Sequence, residues 1–162
     1  MSELTRLPFK FPGAIYRSPM PFGPYDLRQD LFMTYQAAKI DLVVMLFAQG
    51  EDKRLTGQDL TAVYRQAGME TLHLPIADYT TPEHEKLADV LDQIQSAAQA
   101  GQNIVVHCSA GIGRTGVLLA CLAKQALGVD GETAIHWVRV AIPGAVETEA
   151  QRQFVDAYQK PS

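Results

Sequence analysis

The sequence predicts an α/β fold: one domain, residues 1–162, built on a central, mostly parallel, twisted sheet with helices on both faces. Three observations carry this expectation. The chain of 162 residues falls within the ordinary size of a single domain. Its composition, 47% hydrophobic and 20% charged, is that of a soluble globule able to bury a core. Short apolar runs rich in β-branched residues alternate with amphipathic stretches, the pattern of strands joined through helices.

The elements follow in order. Prolines and glycines cluster between Pro8 and Pro24, so residues 1–24 read as an irregular segment around a short strand at 14–17. Residues 26–39 have helical composition, with Leu27, Leu31 and Tyr35 spaced at i, i+4 and i+8. DLVVMLF, 41–47, is a buried strand. A helix over 58–66 closes at Gly68, and residues 70–75 form the next strand. The clearest helix covers 82–100. Thr81 is placed to cap it, Pro82 suits its first turn, and Glu83 and Glu85 suit the positive end of its dipole. Leu87, Val90, Leu91, Ile94 and Ala98 make its apolar stripe. NIVVH, 103–107, is a third buried strand, followed by a glycine-rich turn and an apolar helix over 117–127. Helices over 132–141 and 147–158 complete the chain, the last with Ala150, Phe154 and Tyr158 at steps of four.

Composition also excludes. The formal charge of −4 argues against nucleic acid as a bulk electrostatic partner. No run approaches the roughly 18 apolar residues a membrane span needs, and the first residues lack the apolar core of a signal peptide. A cytoplasmic protein without a membrane partner is expected. Two cysteines, Cys108 and Cys121, are too few for a disulfide framework or a four-cysteine metal site. His73, His84 and His136 share no ligand spacing, so neither metal nor other cofactor is expected.

The chemistry concentrates in HCSAGIGRTG, residues 107–116. In open α/β sheets ligands bind beyond the carboxyl ends of strands, which is where this turn falls. The small residues Ser109, Ala110, Gly111 and Gly113, with Ile112 between them, let successive backbone N–H groups turn around one anion-sized volume. The following helix adds its positive end at the same point. Arg114 can curl back and hold two oxygens of a tetrahedral anion. The same field favours a thiolate at Cys108, which makes it a nucleophile aimed at phosphorus. Thr115 follows, its hydroxyl able to donate to the sulfur as it leaves. A buried cysteine beside an unrelated helix cap is the bland alternative, and the agreement of strand, turn, glycines, arginine and helix disfavours it.

Cys-x5-Arg-Thr, preceded by His107 and carrying Gly111, Gly113 and Gly116, resembles the phosphate-binding loop of cysteine-dependent protein phosphatases, in particular the small dual-specificity and tyrosine phosphatases. The resemblance runs over about residues 15–158 and implies their fold and two-step, metal-free phosphomonoester hydrolysis. It implies Cys108 as nucleophile, and Arg114 with the amides of 109–114 as phosphate donors. Asp78, in LPIADYTTPE, matches with Pro82 the Asp-x-x-x-Pro pattern of the family's general acid; Glu83 and Glu85 are weaker rivals, and a turn-capping role stands beside the catalytic one. IPGAVETEAQ, 142–151, resembles the family's Arg-Pro-Gly segment, whose glutamine helps place a water, with Ile142 departing from the usual arginine. Gln151 inherits that role, and a plain first-turn helix glutamine is an equal reading.

The implied pocket is shallow, admitting phosphotyrosine and also phosphoserine or phosphothreonine on a protein or peptide partner. Absence of lysine from the loop disfavours a phosphoinositide. Inositol phosphates, RNA 5′-ends and a silent phosphate-binding module complete the alternatives. His107 is expected to brace the turn through backbone, Cys121 to pack in the core, Arg17 and Ser18 to border the site, and Tyr79 to wall the pocket.

Overall fold

The computed structural model describes residues 3–162. Its sheet has five strands: β1 (Thr5–Leu7), β2 (Ile15–Ser18), β3 (Leu42–Met45), β4 (Glu70–His73) and β5 (Ile104–His107). They lie in the order β1-β2-β5-β3-β4, parallel except for β1, which pairs antiparallel with β2 at one edge. β3 and β5 are buried along their whole length, as expected of central strands covered on both sides, whose sequences are apolar up to His107 at the end of β5.

Alternation along these strands divides the core. Val43, Met45 and Val105 face α1 (Leu31–Ala37) and α3 (Leu60–Gln66), meeting Leu31, Tyr35, Leu60 and Tyr64. Leu42, Val44, Ile104 and Val106 face the other way, into the larger cluster formed with α4 (His84–Gln99), α5 (Gly113–Leu127), α6 (Gly131–Ala141) and α7 (Glu149–Ala157). α5 is buried from Gly113 to Ala123, and from Val117 onward that stretch is apolar on every side, as an interior helix is. A short α2 (Glu51–Thr56) follows β3.

The register sets up the site. Ser18 of β2, His107 of β5 and Met45 of β3 are aligned partners, and His73 of β4 stands level with Met45. The segments after all four parallel strands therefore leave the sheet along one edge, with the Cys108 loop in the middle.

Several boundaries differ from the sequence reading. β1 lies inside the segment expected to be irregular; three residues are too few to show alternation. The helix expected from 26 begins only at Leu31. Asp26 instead folds its carboxylate onto the Phe22 N–H at 2.8 Å, and Gln29 adopts a left-handed backbone, φ 56°, a local bond that competes with helix. Leu27 is consequently outside the helix and exposed. Thr81 does not cap α4, which starts at His84 behind Glu83. Thr80 is tied into a turn through its hydroxyl on Ala77 O, and its carbonyl accepts from Gln151 Nε2, which holds the chain out of the helix until Glu83. α5 begins at Gly113 rather than 117, directly from the loop.

Candidate active site

Cys108 is the first residue beyond β5, and it is buried. The loop closes back on it: the Gly111 N–H donates to Cys108 Sγ at 3.3 Å. Gly111 is in the left-handed region, φ 77°, and a Cβ there would stand 2.4 Å from the Ser18 carbonyl oxygen. Only glycine meets both demands. Arg17 and Ser18 thus border the loop, as expected. At Gly113 a Cβ would stand 2.3 Å from the Glu147 carboxylate and 3.3 Å from Gln151 Nε2, so the 142–151 segment closes over the other end of the loop.

His107 braces the turn from below. A carbonyl can only accept, so the 3.0 Å contact between Nδ1 and Cys108 O puts the proton on Nδ1. Nε2 then accepts from the Tyr64 hydroxyl at 2.8 Å. Burial pushes the imidazole pKa down to about 4, against the smaller raising effect of the Cys108 carbonyl bond. The ring is neutral at pH 7.

Arg114 is almost wholly buried at the start of α5, 1% exposed. Its Nη1 donates to Glu51 Oε1 and to Ile76 O, both at 2.8 Å, and Nη2 donates to Glu51 Oε2 at 3.0 Å. Glu51 is itself fixed by the Ala48 N–H at 2.8 Å. Burial works against both charges, yet the paired hydrogen bonds win: Glu51 titrates below its ordinary range and Arg114 above. This two-oxygen grip leaves the other edge of the guanidinium, Nε and Nη2, for an anion. Nε is buried without a hydrogen-bond partner among the described residues, as is the hydroxyl of Thr115. Two orphaned donors side by side in sequence are the mark of a site built for a ligand.

Asp78 reaches the same place from the loop after β4. Its Oδ1 lies 3.5 Å from Arg114 Nη2 and accepts from the Tyr79 N–H at 3.0 Å. The side chain is 53% exposed, free to move off the arginine. Glu83 pairs with Lys86 across the helix surface at 3.2 Å and has no such contact with Arg114. Gln151 is buried at the start of α7 in a capping box: Oε1 accepts from the Glu147 and Thr148 N–H groups, while Nε2 reaches Thr80 O at 3.2 Å. It ties α7 to the Asp78 loop.

A cleft of about 390 Å³ flanks the loop, bounded by Ala110 and Ile112, with Pro19, Tyr25, Ile142 and Pro143 among its walls. Tyr79, by contrast, stands exposed with a left-handed backbone and does not line this cleft. Cys121 is fully buried in the core and its thiol is pushed up to about 12 by that burial.

Glu51 is the residue of the candidate site that the sequence reading did not single out. An acidic residue after a glycine at the start of a short helix reads as a dipole partner, and its pairing with Arg114, 63 positions away, exists only in three dimensions.

Comparison with known proteins agrees with this geometry. Residues 25–126 match the family described as "Tc-R-P: Polymorphic toxin system, DSP-PTPase phosphatase". The chain is 29% identical over 136 residues, 82% of its length, to tyrosine-protein phosphatase cdc-14 of Caenorhabditis elegans, and spans only 17% of that relative. The crystal structure of Tk-PTP in its active form superposes with a TM-score of 0.74 at 30% identity, covering 90% of this chain and 91% of the other. Kinase associated phosphatase, with its catalytic cysteine replaced by serine, shares the fold at a TM-score of 0.85 and 20% identity, over 94% and 90% of the two chains. The cysteine loop, its buried arginine and the matched sequence belong together: this chain is a member of the small dual-specificity and tyrosine phosphatase (DSP-PTPase) family.

Proposed function

We propose that the chain hydrolyses phosphomonoesters through a cysteinyl-phosphate intermediate, without a metal, and that its substrates are phosphotyrosine-containing proteins or peptides, with phosphoserine and phosphothreonine also admitted. The observation that carries the mechanism is the convergence of Cys108, Arg114 and Asp78 on one sheet edge, with the Gly111 N–H on the sulfur and Asp78 3.5 Å from the arginine.

In the first step the Cys108 thiolate attacks phosphorus. The S–P bond forms as the P–O bond to the leaving group breaks, and the Asp78 carboxyl supplies that oxygen's proton. Arg114 and the loop amides of Ser109, Ala110, Gly111, Ile112 and Gly113 hold the equatorial oxygens, the fixed-donor stabilisation that phosphoryl transfer relies on. In the second step water attacks phosphorus and gives its proton to the Asp78 carboxylate. The S–P bond breaks, and the Thr115 hydroxyl donates to the departing sulfur. Gln151 holds the Asp78 loop through Thr80, alongside the water-placing role its family resemblance implies. A mechanism that uses a free thiolate suits a reducing compartment, and we assign the protein to the cytoplasm.

The cleft beside the loop supports a protein substrate over a polyphosphate. Among the described residues Arg17 is the only cation lining it, and Glu3 lies there too. Several phosphates would require several cations, whereas proline, tyrosine and isoleucine walls suit an aromatic ring and its neighbours. The test is phosphate release from an aryl phosphate in EDTA. Release that survives chelation and disappears in Cys108→Ser supports the enzyme reading; no release by the wild-type protein contradicts it and leaves a phosphate-binding module.

A further inference from the structure

Four consecutive carbonyls of the cysteine loop are each held from outside. Cys108 O accepts from His107 Nδ1 at 3.0 Å, and Ser109 O accepts from the Met20 N–H at 2.8 Å. Ala110 O accepts from Arg17 Nη2 at 3.2 Å, and Gly111 O from Arg17 Nε at 3.0 Å. In a trans peptide the carbonyl and the next residue's N–H point in opposite directions. Pinning these four oxygens outward therefore turns the N–H groups of Ser109, Ala110, Gly111 and Ile112 inward, and the Gly111 N–H on Cys108 Sγ shows that orientation.

Two of the four holds come from one side chain. Arg17 is positioned by β2, one residue before the strand's end, in register with Val106. Its guanidinium is partly desolvated, which lowers its pKa from the ordinary value, while the nearby Cys108 and Glu3 favour its charge. A planar fork meets two adjacent carbonyls from two separate nitrogens in one fixed geometry, whereas a lysine must share a single nitrogen on a flexible stem between them.

We propose that Arg17 is a positioning residue that pre-sets the phosphate cradle by holding the Ala110 and Gly111 carbonyls outward, so that the amides of Gly111 and Ile112 are already aimed at the anion before it binds. The role rests on the phosphatase reading for its use in turnover, but the cradle itself can be tested by binding alone. Without Arg17 the two peptide planes are free to rotate, and their donors must be reoriented at the expense of binding and rate.

The experiment compares wild type, Arg17→Met and Arg17→Lys, each also in the Cys108→Ser background. Inorganic phosphate binding is measured by calorimetry on the Cys108→Ser chains, and kcat and KM for an aryl phosphate on the others, with circular dichroism reporting folding. Arg17→Met is expected to weaken phosphate binding and lower kcat/KM by about tenfold to a hundredfold, the effect of misplacing donors by a fraction of an ångström to 1 Å. Arg17→Lys, keeping the charge but not the fork, is expected to recover only part of each loss. Wild-type phosphate affinity in a folded Arg17→Met chain overturns the proposal, and so does full recovery by lysine, which would reduce the role to charge. If Arg17→Met does not fold, the lysine variant carries the same test. A wild-type chain that binds phosphate in an Arg17-dependent way yet hydrolyses nothing would retain the cradle and remove the hydrolase.

Discussion

Arg114 can act on a phosphate only if its guanidinium is already turned, and Glu51 does the turning. The pair is buried and two-oxygen, so its partners are costly to separate: removing one charge from a buried pair typically costs about 3–5 kcal/mol. Glu51→Gln is expected to destabilise the protein by an amount of that order and to lower kcat/KM, measured by chemical denaturation and aryl phosphate turnover. A change in stability within about 0.5 kcal/mol, the range of an ordinary surface substitution, would show that Arg114 keeps its place without the carboxylate. Asp78 makes a different prediction. Asp78→Asn is expected to slow alkyl phosphates by about 10²–10⁴, the range of general acid catalysis, and activated aryl phosphates far less, because their leaving groups hardly need a proton. Equal losses on both substrates, in parallel kcat/KM measurements, would move the acid elsewhere. Cys108, Arg114, Thr115 and Asp78 could be picked out as candidates from the sequence because the loop is contiguous and Asp78 sits in a recognisable turn. Glu51 and the grip of Arg17 were not, since each depends on a partner from a distant stretch of chain.

β5 and the helix that follows it carry the site, and His107 joins them. Its ring is neutral and buried between the Cys108 carbonyl and the Tyr64 hydroxyl. The folded pKa of about 4 lies below the ordinary histidine value near 6.5. Above both values neither state gains a proton; between them the unfolded chain binds one and the native chain does not. Stability is therefore expected to fall as the pH drops from about 6.5 to about 4, by a few kcal/mol at most. His107→Gln should flatten that part of the curve in denaturation measurements from pH 4 to 7, and an unchanged slope would contradict the assignment. The thiol of Cys121, in the middle of α5 and fully buried, is expected to resist iodoacetamide at pH 8 in the native protein. Its alkylation in folded Cys108→Ser would contradict that packing. Long, strongly periodic elements such as α4 and α5 could be read from sequence with only their starts misplaced. The start of α4 was missed because a tertiary bond, Gln151 on Thr80, overrides local propensity, and that of α1 because a local bond, Asp26 on Phe22, competes with helix. β1 and α2 were missed because three and six residues carry too little periodicity.

The whole molecule explains why so small a chain can aim these groups. Four parallel strands end level, so Arg17 near the end of β2 and the segments carrying Glu51, Asp78 and Cys108 meet along one edge. α5 then enters the core from that edge with its apolar surface buried on every side. The net charge of −4 says little about affinity for an anion, because the candidate cradle consists of backbone N–H groups and a buried arginine. In the proposed reaction phosphate passes through the sulfur of Cys108. The most direct measurement is to acid-quench the wild-type protein while it turns over an aryl phosphate in EDTA and to map the bound phosphate. Phosphate on the peptide containing Cys108, absent from Cys108→Ser, is the expected result; turnover with no phosphoenzyme, or with the phosphate on another residue, would contradict it.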